Sequence, residues 1–247
     1  MKRFFNWQTM LASVLVLLSV IFYYLHYVIF KDAHHLFIYL LGDIAFLFLD
    51  VLIVMLVLHR LLVHREKQSI LKKLNMVIGA FFSEVGTELL KKLSRFDPLS
   101  AEIGRQLVIT KEWSDKSFLK VRRSIKTRQS DINSKKEPLD DAKNFLVSKR
   151  PFLLTLLENP NLLEHESFTD LLWAVFHLTD ELAHRTDLKT LPDSDYEHLA
   201  GDMKRAYHKL LVQWLEYMKH LKHDYPYLFS LAMRTNPFDA NASVEVK

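Results

Sequence analysis

Two aspartates stand in the longest apolar run of this 247-residue chain. Between Leu36 and His59 it reads LFIYLLGDIAFLFLDVLIVMLVLH, where Asp43 and Asp50 are the only acids or bases before the terminal histidine. An ionised side chain at the centre of a bilayer costs roughly 2.5–3.5 kcal/mol on insertion scales, so such residues are functional candidates wherever they occur. Their seven-residue spacing puts them on nearly one helix face, about 10 Å apart along the axis. Antiparallel pairing with the preceding apolar run would bring Tyr23, His26 or Tyr27 to the depth of Asp43, and Ser13 to that of Asp50. Two chemistries follow. Protonated carboxylates would make interhelical hydrogen bonds worth about 0.6–2 kcal/mol each. Alternatively, several copies of the chain would line a proton or cation conduit.

A second cluster has metal-ligand spacing. His177, Glu181 and His184 fall at i, i+4 and i+7 on one side of a helix, and Glu181-Leu-Ala-His184 has the Glu-x-x-His spacing of carboxylate-bridged di-metal bundles. Such a centre needs a second copy. The nearest is Asp195-Tyr-Glu-His198, with Glu84 and Glu88 as further carboxylates. A solvated or hydrogen-bonded helix face accounts for the same residues and is the expected reading, so no cofactor is expected, metal being the one alternative. His34 and His35 with Asp32 could hold a divalent ion only if several copies assembled around an axis.

A third cluster is basic. Lys116, Lys120, Arg122, Arg123, Lys126 and Arg128 crowd one segment, and residues 111–150 hold 12 basic against 6 acidic groups. Beside Phe118, Leu119, Val121 and Ile125 this is a candidate for lying on anionic lipid, at about 1 kcal/mol per basic group near the surface. Its apolar face is narrow, and the outer face of a helical bundle would look the same.

What must position these residues is helical. Five glycines, few alternating β-branched stretches and abundant Leu, Lys and Glu predict an all-α protein. No Gly-rich phosphate cradle is present, and the absence of Cys excludes disulfides, thiolate metal sites and a cysteine nucleophile. No motif names a reaction, and the net charge of +4 is too small to argue for nucleic acid. The expectation is therefore non-enzymatic, with a metal-dependent enzyme using Glu181 and His184 as the remaining alternative.

Charge is unevenly spread. Residues 1–59 contain only Lys2, Arg3, Lys31, Asp32, Asp43 and Asp50 as fully charged types. Spans at about 10–30 and 36–59 would each cross about 30 Å of hydrocarbon. The first is too long, and ends too bulkily, for a secretory signal. The linker Lys31–His35 forces an immediate return. Lys2 and Arg3 before the hairpin, and Arg60, Arg65 and Lys67 after it, outweigh Lys31 in the turn, which predicts both termini cytoplasmic in the cell inner (plasma) membrane. The expected plan is an antiparallel transmembrane hairpin (1–60), a cytoplasmic helical bundle (61–240) and a frayed tail (241–247). Its partners would be the lipid bilayer and a homo-oligomer or partner membrane protein. The function expected of it is that of a scaffold or signal-coupling component.

Within the bundle, Leu71, Leu74, Ile78, Phe81, Val85 and Leu89 form an apolar stripe. Phe168, Leu171, Leu172, Val175, Leu178 and Leu182 form a second, and Leu199, Met203, Tyr207, Leu210, Leu211, Trp214 and Met218 a third. Asp97, Ser114, Ser167 and Ser194 are candidate helix caps. The segment Tyr225–Phe238 should dock as a short helix.

Overall fold

The computed structural model describes residues 7–128, 130–160, 162 and 165–245. Helix makes up 79% of the chain and no strand occurs among the described residues, so the protein is all-α. It divides into two compact units, Met1–Glu66 and Lys67–Lys247.

The first unit holds α1 (Trp7–Phe30) and the opening part of α2 (Ala33–Phe81). The interruption between them is two residues, not the five expected. Lys31 adopts a left-handed conformation (φ 53°) and donates its N–H to the Tyr27 carbonyl at 2.8 Å. That position usually carries glycine, because a side chain there costs about 1–2 kcal/mol. Asp32 then caps α2, its Oδ1 accepting from the His35 N–H at 3.0 Å. Thr9–Phe30 and Ala33–Glu66 are each long and apolar enough to cross a membrane. Nearly all their large side chains are exposed: Leu15 is 58% and Phe48 74% accessible.

The second unit is a bundle built around α8 (Asp193–Asp224), against which α7 (Glu166–His184), α5 (Asp115–Thr127), α9 (Pro226–Arg234) and α3 (Thr87–Ser94) pack. The short α4 (Ser100–Gln106) follows α3, and α6 (Leu139–Leu157) packs on α7 and α3. All three apolar stripes are buried as their spacing predicts, apart from Leu71, whose side chain lies outside the described residues. Pro151 does not end its helix. It sits inside α6, where it removes one ladder hydrogen bond, while Leu146 and Leu153 on either side are fully buried.

Between α2 and α3 the chain makes a five-residue π-helical turn, Phe82–Gly86. Both the N–H and the Oγ1 of Thr87 donate to the Phe82 carbonyl. Phe82 stacks on Tyr217 of α8 with ring centres 5.0 Å apart, and Phe81 meets Phe168 of α7 edge-on at 5.4 Å. The extra residue of the π turn thus presents consecutive phenylalanines to two different neighbours.

The caps differ from expectation. Ser114 does cap α5, in a reciprocal pair with Ser117. At α7, however, the ring of His165 accepts the Phe168 N–H, and α8 starts after Pro192 with no side-chain cap. Asp97 is not the cap of α4, which begins at Ser100. It is wholly buried, accepts from the Leu99 N–H at 2.9 Å and pairs with Arg128 at 3.0 Å. The C-terminal segment docks as expected: Phe229 is buried, Phe238 packs on Trp214, and the Asn236 side chain donates to the Leu107 carbonyl. Of the tail expected at 241–247, residues 246–247 lie outside the described ones; before them Ser243 N–H donates to the Arg234 carbonyl and the Arg234 side chain reaches the carbonyl of Val244.

Candidate functional site

Of the residues expected inside the spans, the two aspartates have no polar partner among the described residues: neither Asp43 nor Asp50 makes a hydrogen bond or ion pair, and both are exposed on α2. Ser13, the expected neighbour of Asp50, turns back to the Thr9 carbonyl at 2.9 Å. His26 stacks on His35 across the turn, with ring centres 6.2 Å apart and planes 3° from parallel. Tyr23 lines the same cleft with Ser19, Phe22, Leu36 and Tyr39. Asp50 instead borders a shallow apolar groove with Val51, Val54, Met55, Leu58, His59 and Leu62.

The basic segment is α5. Five of the six cations lie on it and Arg128 follows its last residue; they divide by role. Arg128 is taken up by buried Asp97, and Arg122 pairs with Glu216 of α8 at 2.8 Å. Lys116, Lys120, Arg123 and Lys126 are exposed. Behind them lies His208 of α8, whose imidazole is pushed below its ordinary value by burial and by the neighbouring Lys209, Lys126 and Lys204.

The strongest convergence of ligand-type groups lies between α7 and α8. His177 and Glu181 are one helical turn apart on α7, and His198 and Asp202 one turn apart on α8. Because the two helices run antiparallel, the order reverses: His177 faces Asp202, and Glu181 faces His198. One ligand atom from each of the four lies within 4.8 Å of all the others. His177 Nε2 stands 3.2 Å from Asp202 Oδ2 and 3.8 Å from Glu181 Oε1. His198 Nε2 stands 3.4 Å from the same Asp202 oxygen and 3.5 Å from Glu181 Oε2.

Burial and charge are unequal across this cluster. The Asp202 side chain is 4% exposed while the two imidazoles are about half exposed, at 47% and 52%. Asp202 Oδ1 accepts from Arg205 at 2.9 Å, whereas its buried Oδ2 has no hydrogen-bond partner. Glu181 accepts from Arg185 at 2.7 Å, and Arg185 also grips Asp195 through two bonds of 2.8 and 2.6 Å. These bonds hold the carboxyls of Glu181 and Asp195 below their ordinary values and push the guanidinium up.

Two of the three residues singled out by spacing, His177 and Glu181, are therefore in this cluster. His184 is not: its Nδ1 lies 2.7 Å from the Asp180 carbonyl on an exposed surface. Asp195 belongs to Arg185. Glu84 is paired with Lys149, and Glu88 lies 3.5 Å from Lys92. Asp202 escaped the sequence reading because the informative pattern is His-x-x-x-Glu on one helix and His-x-x-x-Asp on an antiparallel one, not a repeated Glu-x-x-His.

Comparison with known proteins matches both parts of the chain. Residues 2–62 match a family model described as "MJ1433, N-terminal helical domain", and residues 70–234 one described as "Uncharacterized protein MJ1433, C-terminal helical domain". "Uncharacterized protein MJ1433" of Methanocaldococcus jannaschii is 45% identical over 242 residues, covering 98% of this chain and 97% of that protein. No solved structure matches. Similarity of this extent, running through both helical parts, shows that the chain belongs to the MJ1433 family.

Proposed function

We propose that this protein is a membrane-anchored helical scaffold: the two apolar helices cross the bilayer and return, and the bundle binds protein partners on the cytoplasmic side. One contrast carries the reading. From Met10 to Val63 bulky aliphatic and aromatic side chains are exposed in nearly unbroken series, whereas beyond Leu74 the same residue types are mostly buried. Apolar surface on that scale is far beyond the few hundred Å² that soluble monomers tolerate. Lipid is the solvent that removes the penalty, and helices satisfy their own backbone within it.

Arg60, Arg65 and Lys67 against the single Lys31 in the turn support a cytoplasmic bundle. Self-association is supported by Asp50. A lone carboxylate beside an apolar groove gains a polar partner when a second copy of α2 lies in that groove. In the bundle, exposed Trp173 stands edge-on to Phe176, over which the Arg150 guanidinium sits at 5.2 Å. Tryptophan and arginine dominate the binding energy of protein interfaces, which makes this the face to examine for a partner.

The chain has no cysteine, so single-cysteine variants report cleanly. In intact cells a membrane-impermeant maleimide should label Ala33→Cys and should reach Ser243→Cys only after lysis. Oxidation of Val54→Cys in native membranes should give a covalent dimer. Release of the protein by alkaline carbonate would overturn insertion, labelling of Ser243→Cys in intact cells would overturn the orientation, and exclusively monomeric Val54→Cys would overturn self-association.

A further inference from the structure

We propose that His177, Glu181, His198 and Asp202 bind one first-row divalent transition-metal ion, of the Zn(II) and Co(II) class, which ties α7 to α8. This inference stands on the bundle alone and does not depend on the membrane reading.

The spacing of the four donors is the first argument. Ligands at 2.0–2.2 Å around a tetrahedral metal are separated from each other by about 3.3–3.6 Å, a consequence of the geometry of nitrogen and oxygen coordination to zinc. Here Asp202 Oδ2 stands 3.2 and 3.4 Å from the two imidazole nitrogens, Glu181 Oε1 stands 3.8 Å from His177 Nε2, and one donor atom from each of the four residues lies within 4.8 Å of all the others. Each helix contributes one imidazole and one carboxylate, and the antiparallel register alternates them.

The second argument is the unpaired oxygen. Asp202 is nearly fully buried, and its Oδ2 makes no hydrogen bond although two imidazole nitrogens point at it from 3.2 and 3.4 Å. Leaving a buried charged acceptor unsatisfied costs more than leaving a neutral one. A cation between the oxygen and the two nitrogens removes that cost in one step. The remaining carboxylate atoms are already held from outside. Arg205 takes Asp202 Oδ1, and Arg185 takes Glu181 Oε2, which leaves Glu181 Oε1 directed toward His177. Such outer partners fix ligand orientation in metal centres.

The donor set selects the ion. Two imidazoles disfavour Ca(II) and Mg(II), which take oxygen ligands in larger number, and without thiolate the site does not suit Cu(I). The half-exposed imidazoles provide the entry path and leave one side of the ion accessible to water or a small ligand.

The test uses the full chain, without a histidine tag, purified in mild detergent and stripped with chelator. Co(II) titration should produce the intense visible bands of four-coordinate cobalt, saturating at one equivalent, and Zn(II) should displace it and raise the unfolding temperature. His177→Ala and His198→Ala change half-exposed side chains, so retention of fold is checked by circular dichroism. Each should weaken binding by about 100-fold or more, beyond the 10–100-fold typical of losing an outer partner. His184→Ala should bind as the parent does. Absence of saturable uptake, parental affinity in His198→Ala, or equal response to Mg(II) would each overturn the proposal.

Discussion

Asp97 and Tyr207 show how differently two buried polar residues of one core behave. Asp97 is wholly buried, bonded to the Leu99 N–H and paired with Arg128, whose side chain is 15% exposed. Removing one member of a buried pair leaves the other charge uncompensated, so Asp97→Ala should lower the stability of the bundle by about 3–5 kcal/mol. Tyr207 lies under the influence of the same pair: burial, and secondarily the Asp97 charge, push its hydroxyl above the ordinary phenolic range. That hydroxyl has no hydrogen-bond partner. Tyr207→Phe should therefore be neutral or stabilising, by up to about 1–3 kcal/mol, the cost of an unsatisfied buried group. Denaturant melts should show Asp97→Ala destabilised and Tyr207→Phe not, and a destabilised Tyr207→Phe would refute the assignment. At this scale the sequence was only partly legible. It identified Asp97 as special from Asp-Pro, but a cap is a local device. The actual partner, Arg128, lies 31 positions away. Asp202 was hidden for the same reason, since its significance depends on the register between α7 and α8.

Helices were legible where their signal is local. The stripes on α7 and α8 follow from a 3.6-residue period that any buried face must show, and all thirteen of their side chains are buried. Starts and breaks depend on competition with the rest of the fold, which is why Pro151 is carried inside α6 and His165 caps α7 in place of Ser167. The π turn was invisible for the same reason. Gly86 within it makes a prediction that separates propensity from packing. Alanine in place of glycine favours a helix by about 1 kcal/mol. A Cβ on Gly86, however, would stand 2.5 Å from Phe82 Cδ1 and 2.8 Å from Phe81 Cε1, inside rings that the core holds in place. Overpacking costs about 1–3 kcal/mol, so Gly86→Ala should be net destabilising. At Gly79 in α2 the nearest atom is Tyr217 Cε2 at 3.7 Å, ordinary contact, and Gly79→Ala should stabilise by up to about 1 kcal/mol. Thermal melts of the pair check this, and equal signs would show that the Phe81–Phe82 rings yield.

For the molecule as a whole, the bundle's charges set how it responds to acid. His208 sits below its ordinary value of 6.5 in the folded state, because burial and three lysines disfavour the imidazolium. The unfolded chain thus binds the proton first, and this group's contribution to stability is complete above pH 6.5 and declines as pH falls through the lower folded value. Asp195 beside Arg185 and Asp141 beside Lys92 are also held below their ordinary value of 3.8. Their contributions are present above that value and disappear only as pH falls below it. The signs agree, so these groups together lower stability on acidification. The decline should begin near pH 6.5, where the aspartates are still ionised in both states, and steepen below pH 4. His208→Asn removes only the upper component. Unfolding temperatures of the full chain in detergent, measured between pH 7.5 and pH 3.5, should therefore show a flatter profile for the variant above pH 5 and parallel curves below pH 4. An unchanged slope between pH 7 and pH 5 in His208→Asn would show that another group carries the upper component. Loss of the lower step in the same variant would show that His208 and the aspartate pairs unfold as one electrostatic unit, although Asp141 lies on α6 and its partner Lys92 on α3.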